Sequence, residues 1–148
     1  MISCDVNVLI YAHNDDEPRH SDYRSWLERA VNGAEPFGLS SVVASGFLRV
    51  ATHPRILARP LPIDAALEVI DKLRAAPAVV PMEPGRRHWS IFTDLCRSVM
   101  ARGNTVPDAY LSALAIEHGC EWHSADRGFA RFHGLRFRHP LESDAHRG

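Results

Sequence analysis

Residues 2–12 read Ile-Ser-Cys-Asp-Val-Asn-Val-Leu-Ile-Tyr-Ala, and this stretch decides the fold class. Its first three residues predict a short buried strand, and the apolar residues from Val8 to Ala12 predict a helix soon after it. Asp5 lies at the junction between the two elements. A strand followed at once by a helix is the repeating unit of a parallel α/β sheet, so we expect further copies of this unit downstream.

Strands and helices continue to alternate along the rest of the chain. The hydrophobic pattern predicts further strands at 37–39, 78–82, 120–123 and 135–138, and helices at about 23–31, 41–51, 63–73, 89–100 and 107–118. Pro81 removes a backbone donor from the third strand, so we expect it on an edge strand or at the end of a strand. This order predicts a three-layer α/β/α sandwich with a central, mostly parallel sheet of four to five strands. We expect one domain over residues 1–141 and a polar C-terminal tail at 142–148.

The composition is that of a globular chain without a membrane segment. The 148 residues are 45% apolar and 24% charged, which suits a single domain with a core of its own. No apolar run approaches the roughly 20 residues of a membrane helix, and no signal peptide is visible. The three cysteines share no disulfide or zinc spacing, and the nine histidines form no zinc motif. We therefore expect a cytoplasmic protein that does not associate with membranes.

Arginine provides all but one of the basic side chains, although the net charge is −1. Arginine binds phosphate through two parallel hydrogen bonds, which lysine cannot do. The segment from Arg127 to His139, which includes Arg131, contains four arginines, two histidines and no acid. It is either a strip that faces phosphate groups or an ordinary solvated surface, and the sequence leaves both interpretations open.

Three aspartates lie where an open α/β sheet gathers ligands. Asp5 follows the first strand, Asp126 lies just beyond the fourth, and Asp108 lies in the first turn of the helix before the fourth. Taken singly, Asp5 could be a helix cap, Asp108 a favourable charge at a helix N-terminus and Asp126 a turn residue. Together they are expected to converge on one cleft beyond the carboxyl ends of the strands. Clustered carboxylates bind Mg²⁺ or Mn²⁺, and such cations promote phosphodiester hydrolysis.

Two neutral polar residues accompany the acids. Asn7 follows Asp5 by two positions, where a second aspartate would have suggested an aspartyl-phosphate phosphatase. As an asparagine it is expected to orient Asp5 or a water on the metal, and Ser124 is expected to do the same near Asp126.

Four segments resemble the PIN-domain family, in the order in which that family carries them. They read Asp-Val-Asn-Val-Leu-Ile-Tyr-Ala at 5–12, Ser-Gly-Phe-Leu-Arg-Val-Ala-Thr-His-Pro at 45–54, Pro-Asp-Ala-Tyr-Leu at 107–111 and Ser-Ala-Asp-Arg-Gly-Phe-Ala-Arg-Phe at 124–132. Within the family the chain is most similar to VapC toxins of type II toxin–antitoxin modules. The resemblance covers essentially the whole chain.

The resemblance implies a fold, an activity and partners. It implies the PIN-like sandwich and a metal-dependent endoribonuclease that uses Mg²⁺ or Mn²⁺. Such a toxin cuts tRNA or another structured RNA, inhibits translation, is neutralised by a VapB-type antitoxin and forms a homodimer. On this basis Asp5, Asp108 and Asp126 are the catalytic, metal-binding acids.

The chain departs from the family pattern at one position. Many PIN domains carry a glutamate in the helix after the second strand, and the equivalent position here is Gly46. Ser41 or Ser45 could substitute weakly, whereas Glu117 is expected to lie too far along its helix. The alternative function is therefore a catalytically weakened PIN module that binds RNA or a partner without cleaving. A structure-specific DNA nuclease is disfavoured because the chain is short.

Two further expectations concern single side chains. Arg49 lies one helical turn after Gly46, where it could contact an RNA phosphate, pair with a carboxylate of the site or be an ordinary surface arginine. Trp26, Trp89 and Trp122 fall in helix and strand patterns and are expected in the core.

Overall fold

The computed structural model describes residues 1–142. Five strands, six α-helices and one 3₁₀ helix follow one another in the described part of the chain. In order they are β1 (Ile2–Cys4), α1 (Val6–His13), α2 (His20–Val31), β2 (Phe37–Leu39), α3 (Ser41–Ala51), α4 (Ile63–Ala75), β3 (Val79–Pro81), α5 (His88–Ser98), α6 (Thr105–Glu117), β4 (Glu121–His123), the 3₁₀ helix η1 (Arg127–Arg131) and β5 (Arg136–Arg138). Of the predicted tail at 142–148, all but Glu142 lies outside the described residues.

The five strands form one parallel sheet in the order β3-β2-β1-β4-β5. β1 lies in the middle, where Ile2 pairs with Phe37 on one side and with Glu121 on the other. The prediction was a mostly parallel sheet of four to five strands, with Pro81 on an edge strand or at a strand end; β3 is an edge strand and Pro81 is its last residue. The fold-class prediction is confirmed.

The helices cover both faces of the sheet. The chain steps from β1 to β2 to β3 in one direction and then crosses back to β4, so right-handed connections place α1–α4 on one face and α5–α6 on the other. The helix contacts agree, because α1 packs against α2 and α3, α3 packs against α4, and α5 packs against α6. The direction reverses between β1 and β4. A crevice opens at such a point beyond the carboxyl ends of the strands.

Large aromatic side chains fill the core, but one tryptophan is not among them. Trp122, Phe47 and Phe129 are fully buried, while Trp26 is half-buried with its ring 4.8 Å from that of His123. The side chain of Trp89 is 69% exposed, so its predicted core position is wrong. In α5 it is the preceding residue, His88, that packs against α6. Trp89, the next residue along the helix, therefore faces outward. No helix within residues 1–142 is both long and apolar enough to cross a membrane.

Helices α1 and α3 approach each other closely at Gly46. Ser40 begins α3 as its N-cap, accepting a hydrogen bond from Val43 N–H at 3.1 Å. A Cβ atom added at Gly46 would lie 2.7 Å from Cγ2 of Val6, well inside van der Waals contact. A glutamate at this position would require Val6 or one of the two helices to shift.

The Gly46–Val6 contact predicts the stability of Gly46→Ala. Alanine favours a helix over glycine by about 1 kcal/mol, but overpacking against a stiff β-branched side chain costs about 1–3 kcal/mol. We expect a net loss of about 1 kcal/mol in the free energy of unfolding, measured by urea denaturation. Val6→Ala removes the clashing methyl groups, so the double variant should be more stable than the sum of the two single changes predicts. Strictly additive effects would contradict the contact.

Candidate active site

Asp5 connects the end of β1 to the start of α1. Its backbone N–H donates to the carbonyl of His123 at 2.9 Å, which extends the pairing of β1 with β4 by one residue. Its Oδ1 accepts from Val6 N–H at 2.8 Å and caps α1, while its Oδ2 accepts from the hydroxyl of Ser124 at 2.9 Å. Both carboxylate oxygens are therefore oriented by the protein.

The Ser124 hydroxyl links two of the aspartates. It donates its proton to Asp5 and accepts from the side-chain amide of Asn7 at 3.2 Å and from Asp126 N–H at 3.0 Å. One donated and two accepted bonds use the full capacity of a hydroxyl group. Asn7 Oδ1 in turn accepts from Ala125 N–H at 3.3 Å. Asn7 thus reaches Asp5 through Ser124 and not directly.

Asp126 begins the 3₁₀ helix beyond β4. Its Oδ1 accepts from Gly128 N–H at 2.8 Å, which closes the turn. Asp126 is therefore a turn residue and Asp5 is a helix cap, as their simplest interpretations predict. These structural roles do not exclude a shared site, because Asp5 and Asp126 are linked by the Ser124 hydroxyl just beyond β1 and β4.

Asp108 completes the group from the first turn of α6. The pKa of its carboxyl is raised from 3.8 to about 6, first by burial and then by the negative charges of Asp5 and Asp126. Burial also raises the pKa of Asp5, against the hydrogen bonds from Ser124 and Val6, and the charge of Asp126 adds to the increase. The three carboxylates therefore interact electrostatically within one cleft, which we call the three-aspartate cleft.

The chemistry of this cleft suits a hard divalent cation. Mutually repelling carboxylates favour Mg²⁺ or Mn²⁺, which prefer oxygen ligands. Within residues 1–142, no three His, Cys, Asp or Glu side chains already stand in a metal-binding arrangement. Asp126 is exposed enough to change rotamer. The donor set fits such a cation, and the side chains would need to close around it.

Two other acids near these elements accept hydrogen bonds outside the three-aspartate cleft. Glu117 accepts from the backbone N–H groups of Gly85 and Arg87 at 2.6 and 2.8 Å, and these bonds lower its pKa against the effect of burial. Glu83 accepts from the backbone N–H and hydroxyl of Ser41 at 2.6 and 2.8 Å. Glu117 was expected to lie outside the site. The pairing of Glu83 with the start of α3 was missed, because only the tertiary fold brings the two together.

The three candidate RNA-binding arginines differ in their surroundings. Arg127 pairs with Glu142 at 2.6 Å, and Arg131 pairs with Asp108 at 3.4 Å. Arg49 is exposed near the end of α3, and its guanidinium contacts no acid in the described part of the chain. The basic strip from Arg127 to His139 is thus partly neutralised by the protein itself.

Comparison with known proteins shows which family, which proteins and which solved structure the chain is similar to. The model of the PIN domain matches residues 2–135. The chain is 49% identical to Ribonuclease VapC43 of Mycobacterium tuberculosis over 146 residues, 99% of each chain. It is 39% identical to Ribonuclease VapC25 of the same organism, over 95% of this chain and 99% of the relative. Among solved structures, VapBC2 of Rickettsia felis bound to a promoter DNA fragment matches with a TM-score of 0.69 at 16% identity, covering 94% and 98%.

The raised pKa of Asp108 predicts how stability depends on pH. An acid whose pKa is higher in the folded state than in the unfolded state holds its proton up to a higher pH when the chain is folded. The free energy of unfolding therefore falls as the pH rises from about 4 to 6. Asp108→Asn removes this penalty. In EDTA at pH 7.5 we expect the variant to be more stable by about 1 kcal/mol, allowing for solvent screening, and the gain should vanish near pH 4.

Thermal and urea denaturation across this pH range would measure the effect. The matched control is Asp94→Asn, which removes an exposed aspartate of α5 that pairs only with exposed Arg97. An equal gain in both variants, or a gain that does not depend on pH, would contradict electrostatic crowding in the cleft.

Proposed function

The chain belongs to the PIN-domain family, among the VapC ribonucleases, and we propose that its three-aspartate cleft hydrolyses RNA phosphodiester bonds with the help of Mg²⁺ or Mn²⁺. The observation that carries this proposal is the pKa of Asp108, which is raised first by burial and then by the negative charges of Asp5 and Asp126. Such crowding destabilises the fold and is typical of a functional site.

The mechanism we propose is attack of water on phosphorus in line with the leaving oxygen. The cation, when bound, supplies Lewis acidity that activates water and offsets the negative charge of the transition state. Asp5, Asp108 and Asp126 hold the cation, and one of their carboxylates accepts the proton of the attacking water. Asn7 and Ser124 keep Asp5 and Asp126 in place, so that little reorganisation is needed during the reaction.

Arginine side chains are proposed to bind the RNA backbone. An acidic cleft on a chain of net charge −1 repels RNA, so phosphate contacts outside the cleft are needed. Arg49 can make such a contact without leaving an acid of the described residues 1–142. Arg127 and Arg131 would first have to leave Glu142 and Asp108.

The remaining features follow from membership of the VapC group. We propose that the substrate is tRNA or another structured RNA, that its cleavage inhibits translation, and that the partner is a VapB-type antitoxin. We also propose a homodimer. The site of action is the cytoplasm, where Cys4, Cys96 and Cys120, all free thiols, would remain reduced.

Gly46 favours one alternative. Without a fourth acid the cleft holds fewer ligands, and a weakened site could bind RNA or a partner without cleaving it. Binding of RNA that does not change when EDTA is added, with no cleavage under either metal, would favour this second function.

Cleavage of total cellular RNA tests the proposal directly. Purified, antitoxin-free protein with Mg²⁺ or Mn²⁺ should produce discrete new 5′ ends, which mapping would identify, and EDTA should abolish them. Asp5→Ala should reduce cleavage at least about 100-fold while leaving the fold intact, because the cation loses a ligand. Asp94→Asn should cleave like the wild type. Full activity of Asp5→Ala would sink the assignment of the site.

The Ser124 network predicts a second, smaller effect. Ser124→Ala leaves Asp5 and Asp126 without their shared partner and should lower kcat about 10- to 100-fold. Ser112→Ala is the control, since Ser112 is also a buried serine and its hydroxyl has no hydrogen-bond partner within the described residues. Equal kcat values for the two variants, with circular dichroism unchanged, would show that the network does not support catalysis.

A further inference from the structure

Arg131 lies inside the three-aspartate cleft. Its Nη2 is 3.4 Å from Oδ2 of Asp108, and its positive charge opposes the increase in the pKa of that carboxyl. The guanidinium also lies over the ring of Phe132, 5.3 Å from the ring centroid. Phe132 is buried, so it gives the arginine a fixed surface to stack on.

The 3₁₀ helix brings the same guanidinium close to Asp126. A Cβ atom added at Gly128 would lie 2.9 Å from Oδ1 of Asp126 and 3.3 Å from Nη2 of Arg131. The two charged groups therefore flank one point, which glycine leaves open. A larger residue there would push them apart. The 3₁₀ helix thus places the Arg131 guanidinium in contact with Asp108 and on the same side of Gly128 as the carboxylate of Asp126.

The chain carries another arginine in the same helix that behaves differently. Arg127 pairs with Glu142 at 2.6 Å. The contact between Arg131 and Asp108 is longer, and both side chains are partly exposed, which makes it a weak ion pair. A weak pair at a ligand oxygen is easily exchanged, whereas a strong pair would block the site.

Resting on the function proposed above, we propose that Arg131 is a built-in counter-ion of the three-aspartate cleft, which holds Asp108 until a divalent cation replaces it and then turns to an RNA phosphate. A cation held by the three aspartates would compete with the guanidinium for the carboxylate of Asp108. The displaced guanidinium would then be free to contact an RNA phosphate. Arg131 is then a positioning residue that couples occupancy of the metal site to RNA binding.

Calorimetric titration with Mn²⁺, in the absence of RNA, tests the competition. Arg131→Gln should bind Mn²⁺ about two- to fivefold more tightly than the wild type, because no ion pair has to be broken. Arg127→Gln is the matched control, since it removes the same charge from the same helix but not from Asp108. We expect a smaller change in that variant. Equal increases in both variants would reveal only a general effect of charge and would overturn the proposal.

Nitrogen NMR of the arginine side chains tests the exchange itself. The Arg131 guanidinium signals, assigned by their absence in Arg131→Gln, should shift on titration with Mg²⁺ at the same concentrations that saturate the metal site. Those of Arg127 should move much less. An Arg131 signal that stays unchanged at saturating Mg²⁺ would overturn the proposal, because the arginine would then remain on Asp108.

These measurements are separable from the test of the proposed function. Cation binding and RNA cleavage by the wild type, with Arg131 signals that do not respond, would refute the exchange and leave the nuclease intact. Absence of Mn²⁺ binding in both the wild type and Arg131→Gln would refute the metal site, and with it the exchange.

Discussion

The described fold concentrates negative charge at one point and holds it there against repulsion. The three acids, Asp5, Asp108 and Asp126, come from three different elements. The negative charge of Asp126 raises the pKa of Asp5 and of Asp108, and the charge of Asp5 also raises the pKa of Asp108. What holds them is covalent and hydrogen-bonded geometry: a backbone bond from Asp5 to His123, a turn closed by Asp126, and the first turn of α6. A charged site of this kind lowers the free energy of unfolding, and a bound cation would offset that loss.

Much of this arrangement could be predicted from the sequence. The strands are short but sharply bounded, and the order of elements leaves few topologies once right-handed connections are required. Asp5 and Asp126 follow strands that turned out to be neighbours at the point where the sheet order reverses, so their convergence followed from a general rule. Asn7 and Ser124 could be placed near the acids for the same reason.

The rest depended on contacts that no local pattern encodes. The outward position of Trp89 is set by a small rotation of α5, which a hydrophobic stripe does not resolve. Glu83 reaches Ser41 across 42 residues, and Arg131 reaches Asp108 across 23. Long polar side chains sample many rotamers, and their partners are fixed only by the tertiary fold. The basic strip therefore proved to be less uniform than its composition suggested.

Gly46 shows how packing and chemistry constrain one another in this chain. Its missing side chain lets α3 approach Val6, the first residue of α1, and Val6 directly follows Asp5. A side chain at Gly46 would push on Val6 and, through Val6, on the cap by which Asp5 Oδ1 begins α1. The packing of α1 against α3 and the position of the Asp5 carboxylate are therefore linked through one glycine.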